Sequence, residues 1–299
     1  MKIAAVLGVK DEFELIRPAI AHLRAIGVDH IIAIDSGSTD GTAEVLAAQA
    51  QGQDFDLMFF DDTVYDDGDA ERRSTAEAME RARRAQADWV LFCDADEFWL
   101  PATGRLKDTS ELARAEALSV ARFNVPLLTE GVAIRFPVSA DCYSDILLYA
   151  PDEGQEATKA RVRQDANAPW IAAIPAEKVM LRPDKVRNTG PGHHTAKAAA
   201  GQDISIARPQ DLLIAHVPFT TEARFGRKVA NIAAAVAASG QEWSANSAWH
   251  WRRWLEIMER DGGVADEMAR NTVPASEIAA LRHAGVVKSA AGLLASGRF

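Results

Sequence analysis

The chain of 299 residues is 48% hydrophobic and 25% charged, the makeup of an ordinary soluble globular protein rather than a disordered or fibrous one. Its 33 Lys+Arg against 43 Asp+Glu leave a net charge of −10, which excludes the broad basic footprint of a nucleic-acid binder. No apolar run approaches the roughly 18 residues of a membrane-spanning helix.

The N-terminus turns acidic at Asp11 and Glu12, too early for a signal-peptide core. Cys93 and Cys142 lack a paired spacing and give no disulfide framework. The expected setting is therefore a reducing cytoplasm, with peripheral contact to a membrane surface left open. An acidic chain that holds phosphate is expected to do so through a bound cation.

Taken in order, Ile3–Leu7 is a short β-forming run closed by Gly8. Phe13, Ile16, Ile20 and Leu23 recur at steps of three and four, which predicts a helix over 12–26 that Gly27 stops. His30–Ile34 reads as a strand buried on both faces, and Ser36-Gly37-Ser38 as a turn. Thr39 or Asp40 then caps a helix carrying Val45 and Leu46. Phe55–Phe60 is a third strand, Ala70–Gln86 a helix and Trp89–Cys93 a fourth strand. Strands alternating with helices imply a parallel sheet, whose ligands sit beyond the carboxyl ends of its strands.

After residue 100 the pattern loosens. Val120–Leu128, Val132–Val138, Val179–Arg182 and Leu212–Val217 read as strands, and Glu222–Ser239 and Trp249–Met258 as helices. The stretches 139–169 and 183–209 read as irregular. The expected fold class is α/β, with helices flanking a mostly parallel sheet and a helical extension at the C-terminal end.

Chemistry-bearing residues follow the strands. In FCDADEFW, Asp94 and Asp96 stand two apart beyond a buried strand, where they can converge on Mg²⁺ or Mn²⁺ holding a diphosphate. The competing reading makes them turn residues that accept backbone hydrogen bonds. In IDSGSTDGT, Asp35 and Ser36 either read a base or ribose edge or simply cap a connection. Lys10 and Glu12 follow the first strand. In GPGHHT, His193 or His194 either completes a metal shell or belongs to a hydrogen-bonded loop. Arg72, Arg73, Lys178 and Arg182 are candidate diphosphate contacts or a solvated face. DDTVYDDGD, 61–69, reads as a solvated loop; Trp249, Trp251 and Trp254 with Leu255 and Met258 read as the packed face of a helix, the other reading being an acceptor or partner surface. Cys93 reads as a buried small hydrophobe.

The order of KDEFELIRPAIAHLRAIGVDHIIAIDSGSTDGT and ADWVLFCDADEFW resembles glycosyltransferase family 2 with a GT-A type fold, in its Asp-x-Asp-Glu-Phe branch. The likeness continues more thinly through EKVMLRPDKV, GPGHHT and IAHVPFTTEARFGRKV. It implies a catalytic and nucleotide-sugar-binding domain over 1–220, with a nucleotide and metal half over 1–100 and an acceptor half over 101–220. Residues 221–299 form the helical extension.

The resemblance also implies a donor linked to UDP, an acceptor hydroxyl on a saccharide or other molecule, and Mn²⁺ or Mg²⁺. Lys10, Glu12, Asp35, Ser36, Arg73 and Asp94 then face the nucleotide. Asp94, Asp96 and His193 or His194 face the metal, and Lys178 and Arg182 the diphosphate. Inversion needs a carboxylate at the attacking hydroxyl; Glu130, Asp141, Asp145 and Glu97 are the candidates, with Asp145 favoured and Glu97 next. The chain departs from the pattern at Asp11, where the family often has Asn, and in lacking a clean late acidic pair.

A covalent phosphohydrolase wants its Asp-x-Asp on the first strand, and a nucleotidyltransferase wants a basic Gly-rich loop there; this chain has neither. A non-catalytic nucleotide-sugar-binding protein of the same fold is the remaining alternative.

Overall fold

The computed structural model describes residues 1–60, 69–198, 203–239, 249–259 and 262–299. The first hundred residues run β1 (Ile3–Val9), α1 (Ile16–Ala25), β2 (His30–Asp35), α2 (Thr42–Gln49), β3 (Phe55–Phe59), α3 (Asp69–Arg84), β4 (Trp89–Asp94) and β5 (Glu97–Pro101). Then come β6 (Ala117–Val120), β7 (Arg122–Asn124), α4 (Gly154–Gln164) and the strands Lys178–Leu181, Ile206–Ala207 and Leu212–His216. Helices α5 (Glu222–Ser239), α6 (Trp249–Met258) and α7 (Gly263–Asn271) follow.

The main sheet has the order Ile206–Ala207, β6, Lys178–Leu181, β4, β1, β2, β3. Lys178–Leu181 runs antiparallel to both neighbours, while the other pairings of this sheet are parallel. Alternation along β1 shows why its sequence is apolar at every step. Ile3, Ala5, Leu7 and Val9 pack into one buried cluster, and Ala4 and Val6 into the cluster on the opposite face. A strand covered on both sides has no position to spare for a polar side chain. The mostly parallel α/β sheet flanked by helices is the fold class expected from the sequence.

A second sheet, β5 with Leu212–His216 and β7, meets the end of β4. Its register sets His216 beside Glu97 on one side and Asn124 on the other. This small sheet, unrecognised in the sequence at β5, brings residues from 97, 122–124 and 216 together behind the acidic turn.

Several boundaries differ from expectation. Helix α1 starts at Ile16, because residues 12–15 form a tight turn in which Glu12 O accepts the N–H groups of Leu15 and Ile16. Phe13 therefore leaves the core face, is 43% exposed and lies over Gly41 instead. Gly41 has φ +97°, and a Cβ there would stand 3.0 Å from the Phe13 ring. Gly41→Ala is expected to cost about 1–2 kcal/mol in chemical denaturation, since L-residues resist the left-handed region.

The run 120–128 divides into separate short strands, and within 132–138 only Val132 belongs to a strand, Gly131–Val132. Helix α4 lies in a stretch read as irregular, its weakly amphipathic GQEATKARVRQ burying only Thr158 and Val162. Most of the acidic run 61–69 lies outside the described residues. The C-terminal helices pack around an aromatic cluster of Trp170, Phe219, Phe225 and Trp254.

Candidate functional site

Two loops beyond the carboxyl ends of β1 and β2 are fastened to each other by side chains. Asp11 accepts the Thr39 N–H at 2.7 Å and the Asn231 amide at 2.8 Å, and the Ser38 hydroxyl accepts the Asp11 N–H at 2.9 Å. Asp40 accepts the N–H and hydroxyl of Thr42 at the start of α2, whose N-cap is Gly41, while the Thr42 hydroxyl accepts the Glu12 N–H at 3.0 Å. The Asp35 carboxylate, 1% exposed, accepts the Ser38 N–H at 3.0 Å. These contacts favour the capping alternative for Asp35 and fix the floor on which the remaining charges rest.

Beneath the loops the chain buries charge in pairs. Glu97, with no side-chain exposure, takes Arg122 and lies 3.4 Å from the Lys178 ammonium. Lys178, itself 2% exposed, donates to Asp94 Oδ2 at 2.8 Å. Asp96 Oδ2 receives Lys228 at 2.8 Å and Arg224 at 3.0 Å. Each of Arg224's five N–H groups has an acceptor: Glu12 twice, Asp96, and the carbonyls of Val217 and Pro218. Burial opposes ionisation of Asp96, but Lys228 and the other donors around it outweigh burial and hold the carboxyl well below its usual range.

His216 faces the same carboxylate, its Nε2 3.7 Å from Asp96 Oδ2. Asn124, fully buried, donates its amide to the carbonyls of Ile171 and Ala173, so its oxygen is left to accept from His216 Nδ1 at 2.7 Å. That fixes the proton on Nδ1 and turns the Nε2 lone pair toward Asp96. His193 stacks on Phe92 and pairs through Nδ1 with the Thr189 hydroxyl, and His194 Nδ1 lies 2.6 Å from Glu177 O.

Burial lowers His216 to about 4, and His193 and His250 to about 3, from an ordinary 6.5. The unfolded chain therefore takes up protons below pH 6.5 that the native state refuses until about pH 4. Stability is expected to fall as pH drops through that window, read as a declining Tm; an unchanged Tm would contradict these placements.

A cavity of about 670 Å³ opens over this charge cluster. Its charged floor includes Lys10, Glu12, Asp94, Asp96, Lys178 and Lys228. Its aromatic lining is Trp170, Trp249, His250, Trp251 and Trp254, with Trp170 6.2 Å from the His216 ring beside Asp96. Trp254 is 3% exposed and packs on Phe225, as the core reading of the Trp-rich helix expects, whereas Trp249 and Trp251 are half-buried at the cavity and Met258, read as part of the packed face, is 43% exposed. Ser36, Glu71, Gln155, Lys159, His193 and His194 complete the rim.

The structure thus gathers Lys10, Glu12, Ser36, Asp94, Asp96, Lys178, His193 and His194 at one cavity. It does not bring every candidate there. Glu97 has no side-chain exposure behind Arg122 and Lys178, and burial pushes its carboxyl above the usual range, so it is not open to an acceptor hydroxyl. Asp145 is exposed on the approach to the strand Leu147–Tyr149, outside the cavity lining, as are Glu130 and Asp141. Arg182 is bound to the carbonyls of Leu112 and Ala115 and lies over Trp89, away from the charge cluster. Arg73 is exposed on α3, and neither it nor Asp35 lines the cavity.

The sequence reading missed Arg122, Asn124, His216, Arg224 and Lys228. Only Arg224 and Lys228 left a usable signal, two cations at i and i+4 on one face of a predicted helix.

The expected metal shell is not assembled by these residues. Asp94 is turned to Lys178 and Asp96 to Lys228 and Arg224, while the two loop histidines bond their partners through Nδ1. Among the described residues no three His, Cys, Asp or Glu side chains converge as a set able to hold an ion.

Residues 5–124 match the model of Glycosyl transferase family 2. No curated protein matches the chain. Among solved structures, the crystal structure of S. aureus TarS 1-349 in complex with UDP is 11% identical over 81% of this chain and 67% of that one, with a TM-score of 0.38. S. aureus TarS is 13% identical over 88% of this chain and 44% of its own, TM-score 0.36. Glucosyl-3-phosphoglycerate synthase from Mycobacterium tuberculosis, in complex with phosphoglyceric acid, is 16% identical over 61% and 57%, TM-score 0.31. No helix among the described residues is long and apolar enough to cross a membrane.

Proposed function

With residues 5–124 matching Glycosyl transferase family 2 on a GT-A type fold, we propose that the chain moves a sugar from a nucleoside diphosphate sugar to an acceptor hydroxyl. The observation that carries this reading is a cavity lined by both charged and aromatic side chains. A charged floor at the carboxyl ends of β1 and β4 suits a diphosphate, and an aromatic wall suits the apolar face of a saccharide ring.

The base is taken as uracil, as the family resemblance implies, entering beside Lys10 and Ser36. Asp94, half-exposed at the mouth, is placed for the ribose. The sugar then projects toward Trp170 and Trp249, where the acceptor approaches. Inversion is the stereochemical outcome this reading carries, and comparing product and donor anomers by NMR reads it directly. The attacking hydroxyl must lose its proton to a group within hydrogen-bond reach, and neither Asp145 nor Glu97 is so placed. Residues 1–220 would form the catalytic unit, with 221–299 closing it through Arg224 and Lys228.

A thermal-shift comparison of UDP, GDP and CDP tests the reading. A nucleotide at 100 times its Kd stabilises by about 2.7 kcal/mol, and UDP should give the largest rise. A larger rise with GDP or CDP would refute the uracil assignment, and no rise with any of them would refute the site. Release of UDP from a UDP-sugar then separates a transferase from a binding protein of the same fold.

A further inference from the structure

We propose that this site holds the donor's diphosphate with lysine side chains and needs no divalent ion to do so. The inference rests on the nucleotide-sugar reading above and concerns how that same site neutralises charge. Three observations carry it.

First, the two carboxylates of the Asp-x-Asp turn are already matched by cations. Lys178 is on Asp94 at 2.8 Å, and Lys228 and Arg224 are on Asp96 at 2.8 and 3.0 Å. A doubly charged ion bound to Asp96 would be pressed against the fixed Arg224 guanidinium and close to the Lys228 ammonium. Second, Arg224 is locked by five hydrogen bonds and 1% exposed, so it has no freedom to withdraw. Third, Lys228 differs from Arg224 in being 30% exposed and in lining the cavity. An ammonium carries three N–H donors, so one can stay on Asp96 while others turn to a phosphate oxygen.

The division of labour follows. Arg224 fixes Asp96, Asp96 holds Lys228 at the cavity floor, and Lys228 meets the diphosphate. Lys178 and Lys10 border the same space and add to the positive potential there. A preorganised ammonium facing a leaving diphosphate offsets the charge that develops as the sugar bond breaks.

The test is isothermal titration of the full-length chain with UDP after exhaustive EDTA treatment, and again with added Mn²⁺. The expected result is the same Kd in both. Lys228→Met should weaken UDP by about 10- to 100-fold, the worth of a charge-assisted hydrogen bond, and leave uridine binding unchanged. Lys228→Arg should recover part of the loss. Unchanged uridine binding shows that the variant is folded and that the loss is confined to the phosphates.

UDP binding that appears only with Mn²⁺ would overturn the inference while leaving the transferase reading intact. A Lys228→Met variant that binds UDP like the parent would overturn it equally. Failure of every nucleoside diphosphate in both arms would overturn the transferase reading and this inference together.

Discussion

Replacing Arg224 by alanine is expected to lower the unfolding free energy by about 3–5 kcal/mol, among the larger losses a single substitution produces. Its guanidinium is buried, and it joins Glu12 after β1, Asp96 after β4 and the carbonyls of Val217 and Pro218. Truncation leaves two carboxylates in a site built around a cation, which costs more than the hydrogen bonds alone. Arg224→Lys keeps the charge but not the fork that grips Glu12 through two nitrogens, so it should recover only part of the loss. Urea denaturation of the three proteins gives the ranking. An alanine variant within 1 kcal/mol of the parent, about the loss of one ordinary hydrogen bond, would remove the basis for treating these loops as one unit.

The second large effect belongs to Asp96, and it should show in turnover more than in stability. Asp96→Asn keeps the shape of the side chain but replaces a shared anion with a neutral amide facing Arg224 and Lys228. Arg224 retains Glu12, so the loss of stability is expected to be about 1–3 kcal/mol. Lys228 loses the charge that holds it at the floor, and donor turnover is expected to fall about 100- to 1000-fold, the size seen when one preorganised electrostatic group is removed. UDP release from a UDP-sugar measures it. Full turnover in Asp96→Asn, with the fold retained, would show that the Asp-x-Asp turn is structural alone.

The two variants also distinguish the parts of the cluster. Arg224 faces both Glu12 and Asp96, so its removal is felt across the junction of three loops. Asp96 and Lys228 form the branch that reaches the cavity. Because Asp96 bonds to both cations, the effects of Arg224 and Lys228 substitutions should not add; contacting residues in one charged network show coupling of about 0.5–3 kcal/mol.

The helical and sheet patterns of residues 1–100 were legible because β1, β2 and β4 are buried on both faces and the helices between them pack on one. Ile3–Val9 and Trp89–Asp94 could be read from apolar runs, and the acids that follow them could be placed at the strand ends. Glu97 misled for a definite reason. Its neighbours in sequence suggested an acid exposed beside the metal motif, but β5 continues straight into a second sheet and carries the side chain under Arg122. Asp145 misled because spacing says nothing about which way an irregular segment faces. His193 and His194 reached the cavity, yet Thr189 and Glu177 claimed their Nδ1 atoms. His216 went unnoticed since a lone histidine at the end of an apolar strand carries no spacing signal; only Asn124, 92 residues earlier, gives it a tautomer and a direction.

By itself the amino-acid sequence determined the alternating α/β half, the strand ends at which polar chemistry gathers, and the acidic turn after Cys93, because these depend on periodicity and on the loop that follows a buried strand. Only the tertiary structure decided which charges meet. Arg224 lies 212 residues from Glu12 and 128 from Asp96, and Lys178 lies 84 from Asp94. Whether a carboxylate is free to hold a metal or already satisfied by an arginine depends on distances of a few ångströms between segments far apart in the chain. Those distances are set by how two sheets and a late helix pack together, and local pattern does not encode them.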